Sequence, residues 1–360
     1  MTPNVVAGDQ PNPPLDASML NGLPDPVFMV DHASVIVGCN SAARDLLGPK
    51  VLGNNLNQVL SNKRIVETIV ATLKGKPKSR PELSLTYPNG RDYQLRLWRL
   101  PDLRSAGPAW AMVIMHDITD VNKAAQLRAD FVANVSHELR SPLSSLLGFI
   151  ETIRGPARND PDTTERFLEI MESEAKRMSR LIDDLLTLST VETQEHIRPT
   201  ASVALAPLLQ RVTETLSVRA KERGMKIVLD VPPDLPLIIG EPDELTQVFQ
   251  NLIANAVSYG TTKTSIVIST STRSEVLEGS DTNVSVAVLN EGEGIEPADL
   301  DRLTERFYRA DKSRSRSMGG TGLGLAIVKH IVARHRGRLD IKSTLNDETS
   351  FTVHLPCTES

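Results

Sequence analysis

The stretch FVANVSHELRSPLSSLLGF, from Phe131 to Phe149, decides the fold of the middle of the chain. Apolar residues recur along it at four- and seven-residue steps, namely Phe131, Val135, Leu139, Leu146 and Ile150. This spacing predicts a helix with one apolar stripe. We expect His137 to lie off the stripe, in solvent, where a neutral imidazole beside the Glu138 carboxylate can act as a nucleophile. Pro142 should bend the helix just beyond it.

The composition sets limits on the class of protein. A chain of 360 residues with 40% hydrophobic residues predicts two or three domains with real cores. The net charge of −5 implies no general attraction to nucleic acid or anionic lipid. Two distant cysteines, Cys39 and Cys357, fit a reducing cytoplasm. No apolar run approaches the roughly 18–20 residues of a membrane span, and the N-terminus lacks a signal-peptide pattern.

The first third of the chain has a small α+β pattern. Residues 1–17 are rich in Pro, Asn and Asp, so we expect a flexible tail before a domain at 18–117. Its strand candidates are 26–31, 34–40, 82–87, 93–100 and 108–116, and its helix candidates are 41–47 and 64–74. Pro88-Asn89-Gly90 is a strong hairpin signal between the third and fourth strands.

This order of elements, which ends in HDIT at 116–119 before a helix, resembles a PAS sensor domain. Three residues there invite a haem or flavin hypothesis: His32, Cys39 and His116. We favour no cofactor, with His32 in a turn, Cys39 as a small buried apolar residue and His116 at a strand end. The resemblance then implies a role in dimerisation or signal relay.

The next region, 118–195, has the pattern of a helical hairpin. A helix capped by Asp117 or Thr119 should run through His137 without a break, as a stiff signalling rod or as a plain spacer. Residues 154–162 interrupt it, and Asp160 and Pro161 should start a second helix that ends near Val191. Two such apolar stripes are not hidden within one hairpin, so a four-helix bundle in a homodimer follows. Thr190–Ala206 should be irregular, with a linker at 196–206.

The last region, 207–357, has a mixed α/β pattern. Its helix candidates are 207–223, 243–259, 297–307 and 323–336, and its strand candidates are 226–231, 237–239, 265–270, 284–289, 338–343 and 351–355. This predicts helices layered on a sheet. The fold class of the whole chain is therefore multidomain α+β.

Four motifs in this last region have chemical meaning. QVFQNLIANAVSYG places Asn251 and Asn255 one helical turn apart, where amide oxygens suit Mg²⁺ beside phosphate. NEGEGI, from Asn290 to Ile295, has glycines that allow close approach of a ligand. ERFYRADKSRSR carries a basic run, and GGTGLGLAIVKHI leads glycines into a helix N-terminus that favours phosphate. Taken singly, each also fits an ordinary helix surface, a turn or a solvated loop.

Taken together, the motifs resemble a known enzyme family. SHELRSPLSSLLGF resembles the phosphoacceptor box of sensor histidine kinases, and the four later motifs resemble the N, G1, F and G2 boxes of their gyrase/Hsp90-like ATP-binding domain. The resemblance extends from about Asp117 to the C-terminus and looks most like the phosphate-regulon type. It implies that ATP phosphorylates His137, with Glu138 as base. The phosphoryl group then passes to an aspartate of a response regulator docked on the bundle.

The resemblance also implies roles for individual residues. Asn255 should bind Mg²⁺ with Asn251 nearby, and Tyr259 should line the nucleotide pocket. Asn290 should face the adenine amino group. The pocket and the phosphates should further be contacted by Gly292, Gly294, Arg306, Lys312, Gly320, Thr321, Gly322, Leu323 and Gly324.

Four positions qualify these expectations. Asn251 stands where hydrolytic relatives have a Glu, and an amide is no general base, so ATP should wait for His137. The family usually has Asp at 290 and often a basic residue at 258, where this chain has Asn290 and Ser258. Ser141, four residues after His137, keeps a hydroxyl that would orient water in a phosphatase reaction.

Two rival hypotheses remain beside the kinase. One is a degenerate scaffold that binds nucleotide without phosphorylating itself, and the other is a hydrolytic ATPase of the same superfamily. Relatives of the phosphate-regulon type are usually membrane-anchored. Because this chain has no apolar run long enough to span a membrane, we expect it either to be cytosolic or to meet a membrane-protein partner through protein contacts.

Overall fold

The structure, a computed structural model, describes residues 17–75, 83–87, 90–101, 109–232, 234–273, 282–310 and 320–357. The chain divides into two compact units, Met1–Val132 and Ala133–Ser360. The elements in the described ranges confirm the multidomain α+β class. Within these ranges, no helix is both long enough and apolar enough to cross a membrane.

The N-terminal unit contains one five-stranded sheet. Its strands are β1 (Val27–Val30), β2 (Ile36–Cys39), β3 (Leu83–Thr86), β4 (Asp92–Leu100) and β5 (Trp110–Asp117). They pair antiparallel in the order β2-β1-β5-β4-β3. Short helices accompany it: α1 (Ala17–Leu20), α2 (Ser41–Leu47), α3 (Leu56–Val59) and α4 (Lys63–Leu73). The predicted strands, α2 and α4 are confirmed, whereas α1 and α3 were not predicted.

The core of this unit follows from the helical period of α4. Ile65, Ile69 and Leu73 are buried against the sheet residues, which include Val113 and Met115. Cys39 is buried in the same core, as predicted, while His32 is an exposed turn residue and His116 ends β5. β3 and β4 form the predicted hairpin, although Pro88 and Asn89 lie outside the described residues.

The predicted helical hairpin is present. Helix α5 (Thr119–Arg154) is continuous through Pro142, and helix α6 (Pro161–Gln194) begins at the predicted cap, where the Asp160 carboxylate accepts the Thr163 N–H at 3.1 Å. The Phe149 and Phe167 rings contact each other across the hairpin, 5.0 Å between centroids. Large apolar side chains remain exposed on both helices, including Leu143, Leu147, Ile150, Leu168, Ile182 and Leu186.

The C-terminal part of the second unit places helices on a mixed sheet. Its strands are β6 (Ser202–Val203), β7 (Lys226–Asp230), β8 (Ile238–Ile239), β9 (Ser265–Arg273), β10 (Asn283–Glu291), β11 (Arg338–Ser343) and β12 (Glu348–Pro356). The main sheet has the order β11-β12-β10-β9-β7, in which only β7 and β9 are parallel. The helices are α7 (Leu205–Glu222), α8 (Pro242–Tyr259), α9 (Pro297–Leu300) and α10 (Gly324–Arg334). Helix α8 packs against α7, α10 and the sheet.

Two predictions about this region were wrong. The helix expected at 297–307 ends at Leu300, and turns follow it because Phe307 takes a left-handed φ of 63° and donates its N–H to Gly322 O. The second wrong prediction concerns Thr190–Ala206, which was expected to be irregular but contains regular structure. Helix α6 extends to Gln194, β6 pairs with β8, and α7 begins at Leu205.

His335 connects two helices inside this domain. Its Nε2 accepts the Glu241 N–H at 2.9 Å at the start of α8, and its Nδ1 lies 2.8 Å from the Ile331 carbonyl of α10. These bonds fix the neutral tautomer, with the proton on Nδ1. Burial lowers the pKa of His335 from 6.5 to about 4.

We therefore predict an acid-dependent loss of stability. His335 binds a proton at about pH 6.5 when unfolded and only near pH 4 when folded, so stability is present above pH 6.5 and falls as the pH drops toward 4. The loss should be on the order of 3 kcal/mol at full extent. Urea unfolding at several pH values should show a weaker pH dependence in His335→Gln. The same change at the exposed His196 should leave the pH dependence unaltered.

Candidate functional site

Helix α8 is amphipathic in a way that exposes the asparagines. One side is buried in the core: Leu245, Val248, Phe249, Leu252, Ile253, Ala256 and Val257. Asn251, Asn255 and Ser258 follow each other at four and three residues, so they share the opposite side. All three line one cavity of about 450 Å³.

This cavity brings together most of the residues predicted from the motifs. Those that line it are Asn251, Asn255, Tyr259, Asn290, Gly292, Gly294, Gly320, Thr321, Gly322 and Gly324. Leu323 is fully buried beside it and does not line it. Arg306 instead contacts Glu192 of α6 at 2.5 Å, and Lys312 lies outside the described residues. His137, Glu138 and Ser141 are on α5, away from the cavity lining.

One side of the cavity is formed by the end of β10. Asn290 is nearly buried, 5% exposed, and its Nδ2 donates to Glu291 O at 3.3 Å, which leaves Oδ1 as an acceptor. Thr349 is its direct cross-strand neighbour on β12 and also lines the cavity. The Thr349 hydroxyl is 2.6 Å from the Ser343 hydroxyl. Asn290 and Thr349, the two polar side chains that line this side of the cavity, can recognise the edge of a planar base.

Two glycines are required by the backbone around the cavity. Gly294 has a φ of 75°, and a Cβ there would lie 2.5 Å from Thr344 O. Gly322 has a φ of 74°, and its Cβ would lie 3.0 Å from the Phe307 Cα. Any larger residue would push the backbone segments on either side apart. Glycine at these two positions therefore keeps the walls of the cavity close together.

The other side of the cavity is the N-terminus of α10. The N-cap residue, Leu323, makes no side-chain cap hydrogen bond, so in the part of the chain that the structure describes the first amides of this helix are available to an anion. Asn251 lies directly beside it, since a Cβ on Gly324 would be 3.2 Å from Asn251 Oδ1. Asn251 Nδ2 is buried and has no hydrogen-bond partner within the described part of the chain. These donors converge where a phosphate chain would lie.

The third wall of the cavity comes from helix α6. Arg180, Asp183 and Asp184 line it, and the Thr321 hydroxyl donates to Asp184 Oδ2 at 2.7 Å. Burial raises the pKa of Asp184, although the Thr321 bond opposes this shift. Further contacts tie the same helix to α10: His330 Nδ1 lies 2.8 Å from Glu195 Oε2.

The predicted acceptor lies on the partner helix of this wall. His137 is exposed on α5, as predicted. The neighbouring Glu138 carboxylate contacts Arg177 of α6 at 2.6 Å, and both side chains are largely buried, 26% and 15% exposed. In this conformation Glu138 is therefore held by a guanidinium.

Several cavity residues were missed by the reasoning from sequence, among them Thr349, Arg180, Arg219 and Arg309. Thr349 sits opposite Asn290 only through strand pairing, and Arg180 and Arg219 reach the cavity only through helix packing. The sequence around these three residues contains no motif that indicates a ligand site. Arg309 had a signal, because it belongs to the basic run of the third motif, yet Arg306 and Lys312 were chosen instead.

The next question is whether protein side chains alone could hold a metal ion. Within the described ranges, no three or more His, Cys, Asp or Glu side chains cluster in a way that would hold a metal ion. A cation in this cavity would therefore take part of its ligands from a bound anion.

Models of three protein families match successive parts of the chain. The PAS fold matches residues 15–118, and the His Kinase A (phospho-acceptor) domain matches 127–194. The histidine kinase-, DNA gyrase B- and HSP90-like ATPase matches 240–359.

Two curated relatives are similar to this chain. The phosphate regulon sensor protein PhoR of Pseudomonas aeruginosa is 34% identical over 335 residues, which are 92% of this chain and 72% of the relative. The sensor protein kinase WalK of Staphylococcus saprophyticus is 35% identical over 247 residues, 68% of this chain and 39% of that protein. Among solved structures, full-length ShkA in complex with AMPPNP is 26% identical, with a TM-score of 0.46, over 64% of this chain and 46% of that one.

The three domain matches and the relative that is similar over nearly the whole chain agree with the cavity and the exposed histidine. The chain therefore belongs to the PhoR-like sensor histidine kinases, enzymes of two-component signalling that use ATP to phosphorylate a histidine of their own.

Proposed function

We propose that His137 receives the γ-phosphoryl group of ATP bound in the cavity on α8. The observation that carries this is the dual role of helix α6. Arg177 of α6 faces Glu138, the neighbour of His137, while Arg180, Asp183 and Asp184 line the cavity. At 1.5 Å per residue, these positions are separated by about 4 to 11 Å along the helix axis.

The cavity supports a division of labour along the nucleotide. Asn290 Oδ1, beside Thr349, would accept the adenine amino group, and Gly292 and Gly294 would let the base approach the backbone. Tyr259, 42% exposed at the cavity edge, would cover the sugar. The amides of Gly320, Thr321, Gly322 and Gly324 would hold the phosphates at the start of α10.

The donor set also fits Mg²⁺ when ATP is bound. Asn255 and Asn251 offer hard amide oxygens on one face of α8, and the orphaned Asn251 Nδ2 is a donor suited to a phosphate oxygen beside the ion. Mg²⁺ commonly takes its remaining ligands from phosphate oxygens and water, so this small protein set is sufficient. The ion would neutralise phosphate charge during transfer.

The transfer itself needs little from the protein beyond positioning. A ring nitrogen of His137 attacks the γ-phosphorus with its lone pair, an N–P bond forms, and the bond to the β-phosphate oxygen breaks as ADP leaves. The proton on the other ring nitrogen passes to Glu138. Neither Asn251 nor Asn255 can deprotonate water, so hydrolysis does not compete strongly.

Two contacts of this conformation would have to change before transfer. Arg177 holds the Glu138 carboxylate, which must be available as a base. Asp184 holds the Thr321 hydroxyl of the glycine loop. We infer that the structure represents the kinase before transfer, with the ATP-binding domain held against α6.

The partners follow from the same surfaces. The exposed apolar side chains of α5 and α6 would be covered by a second copy in a four-helix bundle. Phosphorylated His137, exposed on that bundle, would transfer its group to an aspartate of a response regulator. Ser141, one turn later, would orient water in the phosphatase reaction, which hydrolyses that phosphoaspartate and releases inorganic phosphate. The buried, unpaired Cys39 and Cys357 fit a cytoplasmic location.

The acceptor assignment predicts the result of one substitution. His137→Gln should abolish acid-labile, alkali-stable labelling by γ-labelled ATP with Mg²⁺, because no ring nitrogen remains to be phosphorylated. ATP binding should be unchanged, since His137 is not part of the cavity. His196→Gln, another exposed histidine, is the matched control and should label normally. Binding of ATP by the wild type without any label would favour the scaffold hypothesis.

The magnesium assignment predicts a loss of metal dependence. Asn255→Ala removes the proposed ligand, so adding Mg²⁺ should no longer strengthen ATP binding, whereas it should do so about tenfold or more in the wild type. Titration calorimetry with and without Mg²⁺ measures this directly. If Mg²⁺ still strengthens binding to the variant equally, Asn255 is not the ligand.

The dimer proposal predicts a change in mass. Leu147→Glu places a charge within the exposed apolar stripe and should shift the protein toward monomer in analytical ultracentrifugation. Ser145→Glu adds the same charge on the opposite side of α5, where the exposed hydroxyl donates to Ser141 O of its own helix, and should leave the dimer intact. If the Leu147→Glu protein kept both the mass of the dimer in solution and its helicity, the interface would have to lie elsewhere.

A further inference from the structure

Helix α7 places a guanidinium at the edge of the cavity. Arg219 lines the cavity, its side chain is exposed, and its NH2 donates to the Ser258 hydroxyl at 3.3 Å. In the described part of the chain, this is the one hydrogen bond that Arg219 makes, and it has no carboxylate partner there. Most of its five N–H donors are therefore open to the cavity.

The neighbouring arginine shows that Arg219 is not needed as a helix cap. Arg223, one turn later on α7, donates to Ser258 O at 2.7 Å and to Gly260 O at 3.4 Å. These are carbonyls at the C-terminal end of α8, where a cation is normally stabilising. Since Arg223 already serves this end, the position of Arg219 over the side-chain hydroxyl calls for another role.

The charge balance of α8 indicates that role. Its cavity-lining residues are Asn251, Ala254, Asn255, Ser258 and Tyr259, and none of them is a cation. Ser258 lies three residues after Asn255, about 4.5 Å along the axis, so a phosphate near the proposed magnesium ligand is within reach of Arg219. A guanidinium fork is well suited to phosphate oxygens.

The other cations of the cavity are less suited to this place. Arg180 lies on α6, close enough to lower the pKa of Asp184 against the larger effect of burial, so its charge is partly balanced there. Arg309 lines the cavity from the segment between α9 and α10, not from α7 or α8. Arg219 is thus the cation that belongs to the α7–α8 side of the cavity.

We propose that Arg219 is a ligand of the ATP triphosphate, supplying from α7 the positive charge that α8 lacks, with Ser258 holding the guanidinium in place. This inference rests on the proposed function, because it requires that ATP binds in this cavity. It goes beyond that function in naming a binding residue outside the four sequence motifs.

The test measures binding to the full chain, so it does not depend on activity. Dissociation constants for ATP with Mg²⁺ are determined by calorimetry, and those for adenosine by displacement of ATP. The variants are Arg219→Ala and the double variant Arg219→Ala/Ser258→Arg. Arg211→Ala is the matched control, since Arg211 is an exposed arginine of the same helix that does not line the cavity.

Arg219→Ala should weaken ATP binding about tenfold and leave the adenosine constant unchanged, because adenosine has no phosphate. Arg211→Ala should change neither. The double variant should recover at least part of the ATP affinity, because Ser258→Arg returns a guanidinium to the same place from α8.

Three results would overturn the inference. An unchanged ATP constant in Arg219→Ala would show that the guanidinium does not meet the phosphates. Equal weakening for ATP and adenosine, without recovery in the double variant, would show a purely structural role. A wild-type protein that binds no ATP would overturn the proposed function itself, whereas normal wild-type binding with either of the first results would overturn this inference alone.

Discussion

The burial of one side of helix α8 is the constraint on which the site depends. Its apolar residues, from Leu245 to Val257, are almost completely excluded from solvent between α7, α10 and the sheet. The helix cannot rotate about its axis without exposing them, at a cost of roughly 1.5–3 kcal/mol for each large side chain. Asn251, Asn255 and Ser258 are therefore held toward the cavity by residues that never touch a ligand.

This division explains which parts of the site were predictable. Helical period places Asn251 and Asn255 on one face, and the glycines form a local pattern of a phosphate site at a helix N-terminus. The resemblance of the combined motifs to the family then gave these residues their expected roles. Thr349 was missed because its position opposite Asn290 is set by the register of β10 and β12. Arg219 was missed because it lies about thirty residues before Asn251 in the sequence, on a helix, α7, that shows only an ordinary amphipathic pattern.

The errors in secondary structure have the same origin. Residues 297–307 have the composition of a helix, yet Phe307 pairs its backbone with Gly322 and adopts a left-handed conformation. A contact with the glycine loop thus overrides local preference. Ser202–Val203 becomes a strand for a similar reason, because it pairs with Ile238–Ile239, and the local sequence of 202–203 does not indicate this pairing. The long helices were predicted well, since their caps and apolar periods are local.

Helix α6 couples the two chemical sites in a way that neither motif reveals. Its residue Arg177 holds Glu138 beside His137, and Asp184, one to two turns later, holds Thr321 of the glycine loop. The partly buried Asp184 also brings an acidic group, of raised pKa, toward the place where the phosphates of ATP would lie. An ionised Asp184 and a phosphate chain would repel each other, so ATP bound as proposed would favour separation of the glycine loop from α6. A rotation or shift of the same helix would also alter the Arg177–Glu138 pair, and one movement would then free the proposed base and the ATP-binding domain together.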